Sequence, residues 1–220
     1  MEDKNIFQKL MGLLNKAGTA IMMNLLFLAA SLPVVTMGAA WCGLYGAVRF
    51  TIRGDSWFNG FKEGYKRHFL RNLIGWTFGV LVGGYAASKV LMGVSNILAN
   101  PAIVSVGVIV PLVISVVIAL AAATVVAVML PLGMYFPQLD ANTWLITTWD
   151  VILHAPLRCI AVAVLMWLPL GVLLFAPDLM FMTAIAFIAV YFILAAFAAT
   201  VLLKKPLLRI LKMYPREEEE

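Results

Sequence analysis

Charge is what this sequence has least of. Residues 73–102 carry one charged side chain, Lys89, residues 103–139 carry none, and residues 160–203 carry only Asp178. Uncharged apolar runs of 18 or more residues are typical of membrane-spanning helices. Because 63% of the chain is hydrophobic and only 12% is charged, we expect an integral membrane protein.

Cysteine and long polar segments are also scarce. The two cysteines, Cys42 and Cys159, lie in or beside apolar runs, and neither has metal-ligand spacing to another cysteine or histidine. A disulfide framework is therefore not expected. The polar segments are roughly 20 residues long, which is too short for an independent soluble core. We therefore expect one membrane domain over residues 1–220.

Breaks in the apolar sequence divide it into six segments. Residues 17–52 are too long for one straight span, and Pro33, Thr36 and Gly38 mark a reversal within them. The alternative is one long kinked helix. Ala176-Pro177-Asp178 predicts another turn. The predicted spans are 18–33, 37–52, 73–92, 103–130, 159–175 and 180–203.

Two segments have the pattern of amphipathic helices. Residues 1–16 are either a membrane-surface anchor or a lead-in to the first span. Residues 53–71 place aromatic side chains on one face and basic ones on the other. This second segment, expected in the cytoplasm, is either a contact surface for a partner or anionic lipid, or an ordinary interfacial helix. Its candidate contact residues are Phe58, Phe61, Lys62, Tyr65, Lys66, Arg67 and Phe69.

Lysine and arginine predict the orientation, because basic residues concentrate on the cytoplasmic side. They are abundant near the N-terminus, in 49–71 and in the tail 204–220. Six spans place these three segments on one side, whereas five would leave the N-terminal lysines outside. We therefore predict an all-α, polytopic membrane helical bundle with about six transmembrane segments, five being the alternative. Both chain ends are predicted to be cytoplasmic.

A short internal echo connects the two halves of the chain. Trp57 precedes Leu70-Arg71 as Trp144 precedes Leu157-Arg158. Coincidence is one explanation. The other is a parallel repeat of a span, a surface helix and a span.

The first third of the chain resembles a known family. Asn24-Leu25-Leu26-Phe27, the run from Ser31 to Gly38, Leu44-Tyr45, Arg53-Gly54 and Phe61-Lys62 are similar to the YesL family of bacterial integral membrane proteins, a domain of unknown function. The later run from Leu153 to Arg158 is also similar, whereas Ala39 replaces a proline that many relatives carry. The resemblance implies a bacterial cell membrane and frequent gene proximity to carbohydrate uptake systems. It implies no catalytic or binding residues.

The apolar segments contain few groups that could carry chemistry. No metalloprotease, serine-hydrolase or paired-carboxylate pattern occurs. Lys89 and Asp178 are expected near membrane faces, which argues against a buried coupling charge. We therefore expect neither an enzyme nor a cofactor, metal ion or nucleic-acid partner.

Gly75, Gly79 and Gly83 form the clearest packing motif, because glycines four residues apart make a flat ridge on a helix. The ridge serves either packing within the chain or assembly of a homo-oligomer.

Two functions agree with these features. The first is a non-enzymatic accessory or regulatory partner of bacterial carbohydrate uptake, contacting lipids and components of an ABC-type sugar transporter. The alternative is a small-solute transporter or channel, with Asn24, Ser31 and Thr36 lining a polar cavity. A solvated cavity at mid-membrane favours transport, and a packed bundle favours the accessory role.

Overall fold

The computed structural model describes residues 17–101, 105–136, 140–175, 178 and 190–213. These ranges contain helices and connecting turns, and no strand occurs within them, which confirms the all-α class for this part of the chain. The α-helices of the described ranges are α1 (Ala17–Ala30), α2 (Met37–Arg53), α3 (Trp57–Lys66), α4 (Phe69–Ala99), α5 (Val106–Tyr135), α6 (Ala141–His154), α7 (Pro156–Phe175) and α8 (Phe192–Met213).

The helices α1 and α2 form a short antiparallel hairpin and are not one kinked helix. A single 3-10 turn, Val34–Thr36, connects them. The Thr36 hydroxyl lies 2.7 Å from the carbonyl oxygens of both Ala30 and Pro33, and it can donate to either. The rings of Phe27 and Trp41 face each other across the hairpin, with centroids 5.0 Å apart.

The helices α4 and α5 form a much longer hairpin. α4 has 31 residues and α5 has 30. α4 therefore continues beyond the span predicted at 73–92, and α5 runs through both Pro111 and Pro131 without ending. Proline is tolerated inside an apolar helix where other groups take up the carbonyl that it leaves free one turn earlier.

The two hairpins overlap only partly along their length. The indole N–H of Trp76, near the start of α4, donates to the carbonyl of Val34 in the α1–α2 turn over 2.9 Å. A β-carbon on Gly38 would overlap the Trp76 side chain. The α1–α2 turn therefore lies beside the beginning of α4, and residues 77–99 continue past it.

The described helices give two or three candidate spans and not clearly the six predicted. Among these helices, α4 and α5 alone are individually long and apolar enough to cross a membrane, and the bent pair α6–α7 adds a third candidate if its two helices count as one. α2 has 17 residues and measures about 25 Å against a hydrocarbon core of about 30 Å. The described chain is a helical membrane protein with two or three candidate spans.

The amphipathic helix predicted at 53–71 is present but shorter, Trp57–Lys66. α2 continues through Arg53 and ends at Gly54, whose φ of 85° is left-handed. α3 then ends at Lys66, and His68, with φ of 52°, separates it from α4. The segment between the predicted spans 103–130 and 159–175 contains the helix α6, Ala141–His154. The aromatic periodicity continued across His68, so it concealed the break.

The two echo segments share one local architecture. Trp57 lies at the start of α3 and Trp144 in the first turn of α6. At the same distance beyond each tryptophan, a non-helical residue directly precedes a long helix, His68 before α4 and Ala155 before α7. At the same spacing beyond each tryptophan, an acidic side chain contacts a basic one four residues later, Glu63 with Arg67 and Asp150 with His154. This agreement supports the interpretation as a repeat.

Parts of several predictions lie outside the described residues. The interfacial helix at 1–16, the first part of the span at 180–203, and residues 214–220 of the tail are in this group. The described beginning of the tail is helical, since α8 continues to Met213.

Candidate functional site

Glycines in α2 and α3 bring the backbones of these two helices into direct contact. A β-carbon on Gly46 would overlap the carbonyl of Gly60, and one on Gly64 would overlap the carbonyl of Cys42. The two backbones therefore touch along one helical turn, as small residues allow in membrane helices. The spacing Gly60-x-x-x-Gly64 is the sequence signal for this contact, and the sequence analysis did not predict it as a packing motif.

This contact divides the predicted aromatic face of α3. Phe61 is 5% exposed, and its ring packs against Gly43 of α2. Tyr65 stacks on Phe61 with centroids 6.1 Å apart and also approaches Phe69 of α4, at 5.5 Å. Phe58 is exposed. Phe61 and Tyr65 therefore pack against other parts of the protein, whereas Phe58 remains accessible.

The opposite face of α3 is charged and accessible. Lys62 and Lys66 are exposed, and Arg67 pairs with Glu63 across 3.1 Å. Since both partners are more than a third exposed, this pair adds little stability. Together with Asn59, these side chains line an open groove of about 440 Å³. α2 thus holds a cationic surface in a fixed orientation.

The glycine ridge of α4 faces α5 of the same chain. A β-carbon on Gly75 would overlap Met129, and one on Gly79 would overlap Val126. A β-carbon on Gly83 would lie 3.4 Å from the β-carbon of Ala122. The ridge therefore packs within the chain.

A buried polar cluster lies where α4, α5 and α6 meet. The Arg71 guanidinium lies 4.3 Å above the ring of Trp144, within reach of a cation–π interaction. Asn72 is 1% exposed, and its amide donates to the Arg67 carbonyl over 3.1 Å. A β-carbon on Gly133 would lie 3.3 Å from the Arg71 guanidinium. The paired Trp and Leu-Arg motifs were the only sequence signal for this cluster.

The predicted transport residues lie in different surroundings. Asn24 is fully buried, and its side-chain oxygen accepts a hydrogen bond from the Ile193 backbone over 3.2 Å. Thr36 belongs to the α1–α2 turn, as described above. Ser31 lies in the same connection. Asn24, Ser31 and Thr36 do not line any of three prominent cavities of the described residues.

The described helices hold no obvious metal centre. Within those residues, no group of three or more histidine, cysteine or acidic side chains converges. Cys42 and Cys159 are free and buried. His68 lies at the α3–α4 break, whereas His154 pairs with Asp150 at the end of α6, so each belongs to a separate junction.

Comparison with known proteins identifies one family. Residues 20–88 match the family model described as "Protein of unknown function, DUF624". The match covers α2, α3 and the first part of α4, including the glycine contact between α2 and α3, and it confirms the resemblance to the YesL family, whose members contain this domain. No curated protein and no solved structure matches the chain.

Proposed function

We propose that this chain, which carries a DUF624 match over residues 20–88, is a non-enzymatic accessory or regulatory protein of bacterial carbohydrate uptake. It would act through contacts: apolar helices in the bilayer and a basic surface presented to a cytoplasmic partner. The uptake system is suggested by the resemblance to the YesL family.

The proposal includes the location of the protein in the bacterial plasma membrane and its orientation there. α4 and α5 cross the bilayer, with Asn100 and Ser105 at its outer side. The remaining apolar helices, α1, α2, α7 and α8, complete six membrane segments, and α1 and α2 form a short hairpin near the cytoplasmic side. The positive-inside tendency supports this arrangement, since the basic residues of 49–71 and 204–209 then share one side with both chain ends.

The observation that carries the proposal is the fixed orientation of α3. Backbone contact at Gly46 and Gly60 holds one face of α3 against α2 and leaves Lys62 and Lys66 exposed on the other. A rigid surface loses less conformational freedom when it binds a partner. Exposed lysines also favour an acidic partner surface, because complementary charge speeds association.

The packed interior favours contact over transport. Phe27, Trp41, Tyr45 and Phe192 fill the space between α1, α2 and α8, with ring centroids between 4.8 and 6.0 Å apart. Asn24 is hydrogen-bonded beside them. This supports the accessory role over a solvated pathway through these three helices.

Charge reversal on α3 tests the docking surface. The protein is purified in mild detergent from its bacterial host, and co-purified transporter components are quantified by mass spectrometry. Lys62→Glu and Lys66→Glu should each lower that recovery about fivefold, because each places a repulsive charge in the contact. Lys204→Glu reverses an exposed lysine on α8 and serves as the matched control, with recovery unchanged.

Two results would contradict the proposal. One is reproducible purification of the wild-type protein without any transporter component. The other is equal recovery from the Lys66→Glu and Lys204→Glu variants. Solute flux into proteoliposomes containing the purified protein alone would favour the transport alternative.

A further inference from the structure

A second basic site lies where α6 meets α7 and α8 passes beside that junction. It is a cavity of about 510 Å³, here called the α6–α8 cavity. Four side chains in its wall are basic: His154, Arg158, Lys205 and Arg209. Because the first two precede the last two by about 50 positions, the fold brings these groups together from distant parts of the sequence.

The one acidic side chain in the cavity wall already has a partner. The Asp150 carboxylate lies 3.0 Å from Nδ1 of His154, and the Asp150 carbonyl lies 2.9 Å from the same nitrogen. Two acceptors at Nδ1 assign the proton to that atom. In the described part of the chain, Arg158, Lys205 and Arg209 form no ion pair. Three cationic side chains against one carboxylate give the cavity wall an excess of positive charge, which favours an anionic ligand.

Exposed apolar side chains surround these charges. Leu157 lines the cavity and is 82% exposed. Leu153 and Leu208, the sequence neighbours of His154 and Arg209, are also exposed. A soluble anion would gain nothing from these leucines, whereas acyl chains attached to an anion would cover them. This combination of charge and apolar surface favours a lipid.

We propose that the α6–α8 cavity binds the phosphate group of an anionic phospholipid, with the acyl chains lying against the exposed leucines. Arg158 and Arg209 can each offer two parallel N–H donors to phosphate oxygens, and Lys205 adds a point charge. His154 stays engaged with Asp150 and keeps that carboxylate from competing for the cations. This site is independent of the proposed docking surface, since no residue of α3 lines it.

The groove along α3, in the first half of the chain, provides an internal control for the α6–α8 cavity. Glu63 and Arg67 of α3 pair at the same spacing from Trp57 as Asp150 and His154 do from Trp144. There, however, α3 alone lines the groove, and no second helix contributes cations. The two halves thus carry similar local charge but differ in enclosure.

Short-chain lipid binding measures the site directly. The delipidated protein is titrated in detergent with dioctanoyl phosphatidylglycerol, dioctanoyl phosphatidylcholine, glycerol phosphate and inorganic phosphate. The wild-type protein should bind the phosphatidylglycerol at least about tenfold more tightly than the other three probes. The triple variant R158A/K205A/R209A should lose at least about tenfold in that affinity, and K62A/K66A/R67A, which also removes three cations, should stay within about twofold.

The conservative variant R158K/K205R/R209K separates binding from folding. It keeps all three charges but replaces the paired donors of Arg158 and Arg209 with single ammonium groups, so its affinity for phosphatidylglycerol should fall by no more than about threefold, even if the alanine variant proves unstable. Equal losses in the two alanine variants would overturn the proposal, since binding would then follow total charge. Binding of inorganic phosphate as tight as that of the lipid would overturn the lipid assignment in favour of a soluble phosphate compound.

Discussion

Replacing Gly60 with leucine should abolish stable folding. A β-carbon at this position would lie 2.5 Å from the Gly46 carbonyl oxygen and 2.7 Å from Phe50, so α3 must move away from α2. Forcing atoms into a packed contact costs typically 1–3 kcal/mol, and more when the obstacle is backbone. The gain in helix propensity on replacing glycine is only about 1 kcal/mol. We expect a net loss of about 3 kcal/mol or more.

The neighbouring residue supplies the control. Asn59 lies on the same helix and is exposed, so Asn59→Leu should leave stability within about 1 kcal/mol of wild type. The thermal midpoint and the monodisperse fraction in detergent measure both variants. If Gly60→Leu matched Asn59→Leu in both readouts, α3 would not pack on α2 through this glycine.

Replacing Gly79 with leucine should separate α4 from α5. The new side chain would overlap Val126, which is 1% exposed and β-branched, so it has little freedom to move aside. The α4–α5 pair relies on close packing because lipid chains provide no hydrophobic drive between helices. We expect a loss of about 2–3 kcal/mol, seen as a lower thermal midpoint in detergent.

A matched position lies on the same helix. Gly84 is exposed, and a β-carbon there meets no atom within 4 Å, so Gly84→Leu should behave as the wild type. The pair also separates the two roles of the glycine ridge. A Gly79→Leu variant that keeps its stability but changes its oligomeric size would show that the ridge joins two copies and does not pack against α5.

The sequence alone predicted the features that depend on local patterns. Proline and glycine around residues 33–38 predicted the reversal between α1 and α2, and the structure has a 3-10 turn there. The spacing of Gly75 and Gly79 predicted a packing ridge, which the contacts with Met129 and Val126 agree with. Such signals are reliable because backbone conformation and helix-face geometry depend on neighbouring residues.

Features that depend on distant contacts could not be predicted. Periodicity indicated that one face of α3 is apolar, but not that Gly43 and Gly46 would cover it. Hydrophobicity likewise could not show that Trp76 holds the α1–α2 turn near the start of α4. Both depend on which helices are neighbours, and apolar length does not contain that information.

The central claim is that α4 and α5 cross the bilayer and that α3 remains on the cytoplasmic side. Cysteine labelling tests it in intact cells, because native Cys42 and Cys159 are buried and should not react. Ser105→Cys, in the connection between α4 and α5, should react with an impermeant maleimide applied from outside. Lys62→Cys should react only after the cells are permeabilised. Labelling of both positions from the same side of the membrane would contradict the account.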